Sequence, residues 1–520
     1  MRTVPADNTV EDGGSAVILA TLTAPDGRVI RAATQPILIT ADLGGPWLYD
    51  HLLSGLDTFT DELDLYALDA TASLQQAEVE IVTTDDLATL QGQWHQLLAT
   101  EVEIAVTWPG EAWERRRVLM RGPMQALELG RLGEASRFTA EAAPAVTSAK
   151  LGDDDRDIGD DYGTGLLDID GEAMTDPAGP YPIILGTPYR VAGIKVGDIG
   201  GGYNGVVLAG HTFVDLTAVT MYNDGVALPT AQALLNGTVA SGDLGYTRST
   251  TRFYSPSGPH TYTGAVTVDY PNGGIACFDS LTRATKSAAD VVRWLLGKCG
   301  LPIDWGRQQR CLDKLASWPM GIAVTQQSDY LSVLRDIAKV LPIIEVPGAS
   351  GLWFAYADPE DMPIEGTLRV GAEIVGGSGR LVLSDRDALR NAFTMRFFRD
   401  SFTGNYLQSV TVDEDTSAVC ALSAQLFGEL ADDPIDCEIL WDATTARRAL
   451  VARAARLALP RRSRDYLLAP DAYTVEAGSC FRVVDPDYGI DARGYVRASS
   501  AVAPLAITID YVDHTPASAL

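Results

Sequence analysis

Trp441-Asp-Ala-Thr-Thr-Ala-Arg-Arg-Ala-Leu-Val-Ala-Arg-Ala-Ala-Arg-Leu-Ala-Leu-Pro460 opens the stretch that decides the fold, which continues to Val512. Asp442 and the threonines after it are helix-capping residues. Ala446, Leu450, Val451, Ala454, Leu457 and Ala458 then repeat at helical spacing until Pro460 stops the helix. Arg447, Arg448, Arg453 and Arg456 occupy its other faces, and Arg461, Arg462 and Arg464 follow. Next come the strand-like runs Tyr473-Thr-Val475, Cys480-Phe-Arg-Val-Val484, Gly494-Tyr-Val-Arg497 and Leu505-Ala-Ile-Thr-Ile509. Turns at Glu476-Ala-Gly-Ser479 and Asp485-Pro-Asp-Tyr-Gly489 divide them. The pattern predicts a small antiparallel barrel or sandwich carrying one helix, whose apolar stripe packs on the strands around Phe481-Arg-Val-Val484.

Working upstream, Ser287-Ala-Ala-Asp-Val-Val-Arg-Trp-Leu-Leu296 has Asp290 three residues after Ser287, a capping box with Asp replacing the usual Glu. Gly300-Leu-Pro-Ile303 and Ser328-Asp-Tyr-Leu-Ser-Val-Leu-Arg-Asp-Ile-Ala338 follow, then Leu352-Trp-Phe-Ala-Tyr356. Leu331, Leu334, Ile337, Ala338 and Leu341 form an apolar stripe that ends at Pro342, and core is its expected role. Asn391-Ala-Phe-Thr-Met-Arg-Phe-Phe398 then alternates as a strand.

This order resembles the baseplate hub and tail-tip proteins of tailed bacteriophages. In them a helix precedes a strand, a hydrophobic-x-x-Gly-Asp turn and a second strand; here the turn reads Val475-Glu-Ala-Gly478-Ser479, with Ser in place of Asp. The segments around 287–356 resemble the family's middle section, which implies two short helices before a strand hairpin, and 391–398 resembles the strand that re-enters its ring-forming part. The resemblance covers about half of the chain. It implies a siphophage-like hub: a homotrimer in which two related β-domains per chain make a pseudo-sixfold ring against the distal tail protein. The implied partners are that protein, the tape measure protein and receptor-binding or fibre subunits, with receptor recognition left to the last. DNA would pass through without specific binding during ejection, and no membrane insertion is implied. The expected location is the virion tail tip, after assembly in a host bacterial cytoplasm.

With 520 residues and 46% hydrophobic content, the chain is expected to fill about three or four domain cores. No apolar run approaches the ~20 residues that cross a bilayer. Ala16-Val-Ile-Leu-Ala-Thr-Leu22 follows acidic Asp7, Glu11 and Asp12, so a signal peptide is not expected. With the turn residues Ala24-Pro-Asp-Gly27 after it, the run reads as the first strand of a hairpin. Cys277, Cys299, Cys311, Cys420, Cys437 and Cys480 show no C-x-x-C spacing and read as buried free thiols. The formal charge of −29 argues against nucleic-acid binding, which needs clustered Lys and Arg. Around a DNA passage the acids would serve as a non-adhesive wall; spread over the outer surface they would keep the protein soluble.

The expected fold class is α+β, predominantly antiparallel β, with several β-barrel or sandwich domains and inserted short helices. Residues 1–150 are an N-terminal β-rich domain, ring-forming on the resemblance. In it Val102-Glu-Ile-Ala-Val-Thr-Trp108 is predicted to pair with Val118-Leu-Met120 across Pro109-Gly110, and Leu87 to Thr100 reads as a short helix. Residues 151–275 combine a Gly-rich, acidic arm or boundary with a β section holding the turn Asn223-Asp-Gly225 and the loop Ser255-Pro-Ser-Gly-Pro259. Residues 276–365 are a mixed α+β insertion, and 366–520 the C-terminal β-barrel with the Arg-rich helix. No internal repeat at a fixed period is visible.

No catalytic residue, cofactor site or metal site is nominated. Gly200-Gly-Gly-Tyr-Asn-Gly205 has the letters G-x-G-x-x-G, but Val206-Val-Leu208 reads as a strand, not the helix that would hold a pyrophosphate. Gly297-Lys298 lacks the flanks of a phosphate loop. Asp153-Asp-Asp-Arg-Asp157 with Asp160 and Asp161 reads as a solvated acidic loop, because Ile158 and Thr164 stand where an EF-hand needs Gly and Glu. His51, His95, His211, His260 and His514 form no H-E-x-x-H, and no serine occupies a G-x-S-x-G elbow. Asp513-His514 brings no nucleophile with it. The Arg-rich helix either offsets nearby Asp432, Asp433, Asp436 and Glu438 or docks an acidic subunit. The favoured function is therefore structural: a hub that closes or adapts the tail tube and anchors adsorption proteins. The alternatives are a cell-wall-degrading tail enzyme, for which a carboxylate pair would suffice, and a hexameric distal tail adaptor.

Overall fold

The computed structural model describes residues 17–39, 46–62, 76–84, 100–110, 112–113, 116–128, 130–141, 150–151, 182–198, 204–209, 220–227, 235–240, 247–252, 266–271, 273, 276–277, 280–348, 351–358, 363–376, 381–384, 386–401, 403–469, 475, 477–500 and 506–511. The expected helix at Leu87 to Thr100, the acidic loop Asp153 to Asp161, the loop Ser255 to Pro259, Tyr473-Thr474 and Asp513-His514 lie wholly or almost wholly outside these residues.

The first hairpin forms as its sequence predicts. β1 (Val17–Thr23) and β2 (Val29–Ala33) flank a turn in which Gly27 holds φ 86, a conformation that glycine adopts without strain. β3 (Ile37–Ile39), β4 (Trp47–His51), β5 (Leu53–Glu62), β6 (Gln76–Val82), β7 (Glu101–Thr107), β8 (Arg117–Glu128) and β9 (Ala135–Glu141) complete the amino-terminal strands. The long β8 serves two neighbours: Arg117 to Pro123 pair with β7, and Met124 to Glu128 with β9. Proline has no N–H to give a ladder, and Pro123 stands where the partner changes.

From the other end of the chain come β10 (Gly366–Arg369), β11 (Ile374–Gly376), β12 (Val382–Leu383), β13 (Arg462–Leu468), β14 (Cys480–Asp485), β15 (Ile490–Ser500) and β16 (Ala506–Tyr511). β15 pairs with β14 through Cys480↔Tyr495, with β16 through Gly494↔Tyr511, and with β5 through Ala498↔Glu62, Ser499↔Asp61 and Ser500↔Thr60. One 16-stranded sheet results, in the order β11-β13-β16-β15-β5-β6-β9-β8-β7-β1-β2-β4-β3, with β12 on β13 and the β14–β10 pair on β15. A single apolar core runs beneath both halves, from Ile18, Ile104 and Phe138 to Tyr466, Val483 and Ile509.

A second core gathers the helices. α1 (Ala288–Lys298) begins with the predicted capping box: Ser287 Oγ accepts from the Asp290 N–H, and Asp290 Oδ2 accepts from the Ser287 N–H. α2 (Trp305–Leu315) was not anticipated, so three helices rather than two precede the hairpin Ile343–Gly348/Gly351–Tyr356. α3 (Tyr330–Val340) is capped by Asp329 and buries Leu331, Leu334 and Ile337. The strands Phe393–Arg399 and Tyr406–Val412 lead into α4 (Ala418–Phe427) and α5 (Ala443–Leu457). The fold is thus β-rich α+β, with helices inserted between strands. All six cysteines are free and buried in it, and burial pushes the Cys437 thiol up to about 11.

α5 corrects two expectations. It is capped by Asp442 as predicted, but it packs on Phe393–Arg399, Tyr406–Val412 and α4 rather than on β14. Leu450 and Leu457 belong to the helical core, whereas Phe481 and Val483 face the sheet core. Alternation along β14 explains the split, because Cys480 joins the helical core while Phe481 turns away. Val451 is 38% exposed and lies off the buried stripe. Leu450→Ala is expected to lower stability by about 2–5 kcal/mol through the cavity it leaves. Val451→Ala is expected to stay within about 0.5 kcal/mol. Urea midpoints of the two variants measured side by side check the contrast.

Candidate functional site

β13 reads Arg462-Ser-Arg-Asp-Tyr-Leu-Leu468, and strand alternation turns Arg464, Tyr466 and Leu468 inward. An inward arginine needs a counter-charge, since an unpaired buried charge is costly. Asp485, the fully buried last residue of β14, supplies it: Arg464 Nη1 donates to Asp485 Oδ2. The Tyr466 hydroxyl donates to the same oxygen at 2.9 Å and is hydrogen-bonded to the Tyr511 hydroxyl. Asp485 Oδ1 accepts the Asp487 N–H at 3.1 Å and so caps the short 3-10 turn Pro486–Tyr488, which ends at Gly489 with φ 63. The Tyr488 ring covers the Arg464 guanidinium, 3.7 Å from its centroid. Sequence reading found this stretch only as a turn. The signal it carried was a charged residue at an inward position of β13.

Burial, then the neighbouring Tyr511, pushes the Tyr466 phenol far up. Burial likewise pushes Tyr511 up to about 12. Both stay protonated hydrogen-bonding groups at neutral pH, and Asp485 spends its oxygens on Arg464, Tyr466 and Asp487. The constellation is a fastener between β13, β14 and β16, with no nucleophile beside a base. Next to it lies a cleft of about 330 Å³, lined among others by Leu383, Ser384, Arg461, Arg464, Arg497 and Asp510. Its charges are mixed: Arg497 Nε stands 3.9 Å from Asp510 Oδ1.

The arginines of α5 are tied within the chain. Arg453 pairs with Asp432 at 3.1 Å, and Arg447 Nη2 donates to the Thr416 carbonyl at 3.1 Å. Arg448 donates to Ser317 Oγ at 2.9 Å and lies 4.0 Å over Trp318. Asp436 and Glu438 pair instead with Arg396 and Arg399. Among the four nearby acids, only Asp432 has a pairing with this helix in the structure. Of the G-x-G-x-x-G letters the described part, from Asn204, begins the strand Asn204–Ala209, the element expected at Val206-Val-Leu208.

Among the described strand residues of the large sheet, the most exposed large apolar side chains lie at its ends. β3 is the last strand at one end, and Leu38 on it and Leu48 on β4 are more than half exposed. At the other end β12 pairs with Arg462 and Ser463 and β11 with Leu467 and Leu468, so neither covers the backbone of Arg464 to Tyr466 between them. Val375, Val382 and Leu383 there are also more than half exposed. Behind Leu48 lies an aromatic cluster in which Trp113 stacks on Tyr49 and meets Trp47 edge-on, with Arg116 3.5 Å from the Trp113 ring centroid.

No protein-family model matches the chain, and no curated protein does. Solved structures with a similar course include the tail protein from Neisseria meningitidis MC58, at 9% identity and TM-score 0.39 over 95% of this chain and 96% of that one. The prophage MuSo2 43 kDa tail protein from Shewanella oneidensis shares 10% identity at TM-score 0.37, over 95% and 96%. A chain of the virion of a native gene transfer agent particle shares 12% at TM-score 0.41, over 64% and 84%. These neighbours are phage-tail and virion proteins.

Two outcomes follow for the fastener. Arg464→Ala strands a buried carboxylate and is expected to cost about 3–5 kcal/mol, whereas Arg464→Met combined with Asp485→Leu recovers most of that loss; urea unfolding of both reads the difference. The folded Tyr511 phenol titrates above its ordinary value of 10.0, so its contribution is complete below pH 10 and lost as pH rises towards about 12. Tyr511→Phe is expected to flatten that alkaline limb in a series of unfolding midpoints.

Proposed function

We propose that the chain is a structural subunit of a phage or phage-like tail, and within it the hub at the distal end. The observation that carries this reading is the large sheet itself, which joins strands from the first and last parts of the chain and, among the described residues, stops at two uncovered edges with exposed apolar side chains. Monomeric proteins blunt such edges with charge, proline or a covering element. Exposed contiguous apolar surface marks a contact still to be made. The two edges differ in sequence, so they fit head-to-tail contact, which closes into a ring when the rotation allows. The order of sequence motifs supports placing that ring at the tail tip.

On this reading three copies form the ring. Each contributes its amino-terminal β unit, roughly residues 1–150, and its carboxy-terminal one, roughly 366–520, while 151–275 and 276–365 project from it. The ring adapts the tube to the distal tail protein and tape measure protein, anchors receptor-binding or fibre subunits, and lets DNA pass unbound. The acids exceed the bases by 69 to 40, which supports an acidic or neutral wall for that passage over a basic one. On this reading the chain does no chemistry of its own; the sequence motifs nominate no catalytic residue, and the fastener residues include no nucleophile–base pair.

Negative-stain microscopy with light scattering tests the assembly. Trimeric rings are expected, and Leu38→Lys with Leu48→Lys is expected to leave folded monomers. A hexamer would instead favour a distal adaptor, and a monomeric wild type at micromolar concentration would end the ring reading. A peptidoglycan zymogram is expected to stay blank. Release of sugar or peptide that is lost in a single acidic-residue variant would make the chain an enzyme.

A further inference from the structure

The strands described between Val191 and Asp269 pair only among themselves. Val191–Ala192, Val266–Asp269, Thr220–Asn223 and Val226–Ala227 form one four-stranded sheet; Ile194–Asp198, Asn204–Ala209, Thr247–Arg252 and Leu235–Ala240 form another. Neither sheet takes a strand from outside that span. A unit built this way moves relative to its neighbours unless a large apolar interface holds it. Among the described residues its attachment is the neck made by Thr187 to Arg190 and Asp269 to Tyr270.

The body side of the neck is rigid. The strand Ile183–Gly186 pairs with Gly321–Val324, the Thr187 N–H donates to the Met320 carbonyl at 2.9 Å, and a Cβ at Gly186 or Gly321 would collide with the facing backbone. Pro188 then fixes its own φ. The arm side is rigid as well. Asp269, buried, accepts the Arg190 N–H at 2.7 Å and the Tyr222 hydroxyl at 2.8 Å, while the Arg190 guanidinium lies 3.5 Å over the Tyr222 ring. Burial holds the Asp269 carboxyl above its ordinary range despite those two hydrogen bonds, with Asp400 adding to the rise. A buried carboxylate depends on such donors, so Arg190, Tyr222 and Asp269 move as one piece.

Between the two rigid sides stands Tyr189. Its ring lies 5.1 Å from that of Trp441 and 6.2 Å, edge-on, from that of Phe398. The Ser401 N–H donates to the Arg190 carbonyl at 3.3 Å, the long end of the range. Three non-glycine residues hold positive φ among the described residues. Asp224 does so in the Asn223-Asp-Gly225 hairpin turn, where the geometry requires it. The other two, Arg190 at 54° and Phe398 at 58°, meet at this one junction. Backbone strain of that kind persists only where surrounding contacts enforce it, and it collects at switch regions.

We propose that the two sheets between Val191 and Asp269 form an arm that pivots about Tyr189 and Arg190, with Tyr189 as a latch seated on Trp441 and Phe398. Seating the ring holds the arm against the start of α5. Withdrawing it relaxes both strained residues, bares the two aromatic rings and frees the arm to reach a neighbouring subunit. This holds whether or not the chain forms a ring, because neck and latch lie within one copy.

Spin labels on Val226→Cys in the arm and Leu426→Cys on α4 report the movement in the full-length protein. Both positions are well exposed, and the six native cysteines are buried. A narrow distance distribution is expected with Tyr189 in place. Tyr189→Ala is expected to abolish that single narrow peak while the thermal midpoint of the body persists, and Tyr189→Phe to restore it. A narrow peak that survives Tyr189→Ala would mean a rigid arm and overturn the proposal. A broad distribution already present in the parent would mean that Tyr189 latches nothing. If Tyr189→Ala unfolds the body, Trp441→Leu repeats the test from the other side of the contact, and its outcome decides in the same way.

Discussion

The pairing of β15 is the constraint on which the rest depends. One strand of eleven residues contacts β14 and then β5 along one side and β16 along the other. It thereby joins strands from the first sixty-odd residues to strands from the last sixty. Closing a loop of that length costs conformational entropy that grows only slowly with length, so the thermodynamic penalty is modest. The kinetic consequence is larger, because non-local pairing waits until its partners exist. Until β15 forms, β5 lacks its outer partner and the sheet core beneath both halves is incomplete.

The fastener at Asp485 solves a problem that the ladder leaves open. β13 and β14 are not adjacent in the sheet; β16 and β15 stand between them. Arg464, Tyr466, Asp485 and Tyr511 nevertheless meet, so the sheet curls until its inner side chains touch across the enclosed space. Barrels ordinarily close by backbone pairing, which removes their edges. Here side chains complete part of the closure. A buried ion pair adds little net stability over apolar residues of the same shape. What it contributes is register: a slip of β13 by one residue would turn Arg464 outward and leave Asp485 charged and unpaired.

Local signals in the sequence were readable because their physics is local. Ser287 with Asp290 and Asp442 with Thr445 cap their helices through neighbours three residues away. Asn223-Asp-Gly225 folds as the hairpin its letters demand. α2 escaped because its buried face is Gln308, Cys311, Leu312 and Leu315, half of it polar by type or set aside as a thiol. Gln308 is fully buried because its side-chain oxygen accepts the Phe354 N–H at 2.8 Å, a partner found only after folding. The packing of α5 was misjudged for a related reason. Periodicity identifies an apolar stripe, but which of two available cores receives it depends on the topology of every strand between. The fastener and the Tyr189 junction are likewise products of long-range pairing, and neither has a spacing to search for.

Charge and edge chemistry act together on the assembly we favour. A net charge of −29 opposes bringing copies together, but at physiological salt the repulsion decays over about 8 Å. It therefore weakens casual long-range encounters more than close, registered contact. Apolar burial contributes about 25 cal/mol per Å² only where surfaces touch. Leu38 and Leu48 at one end of the sheet, with Val375, Val382 and Leu383 at the other, concentrate that gain at the two edges, where backbone pairing can add to it. The acidity thus discriminates against loose aggregation of sticky edges, and the edges reward only an approach that aligns strand with strand. Self-association then depends on geometry more than on hydrophobicity, as a closed ring requires.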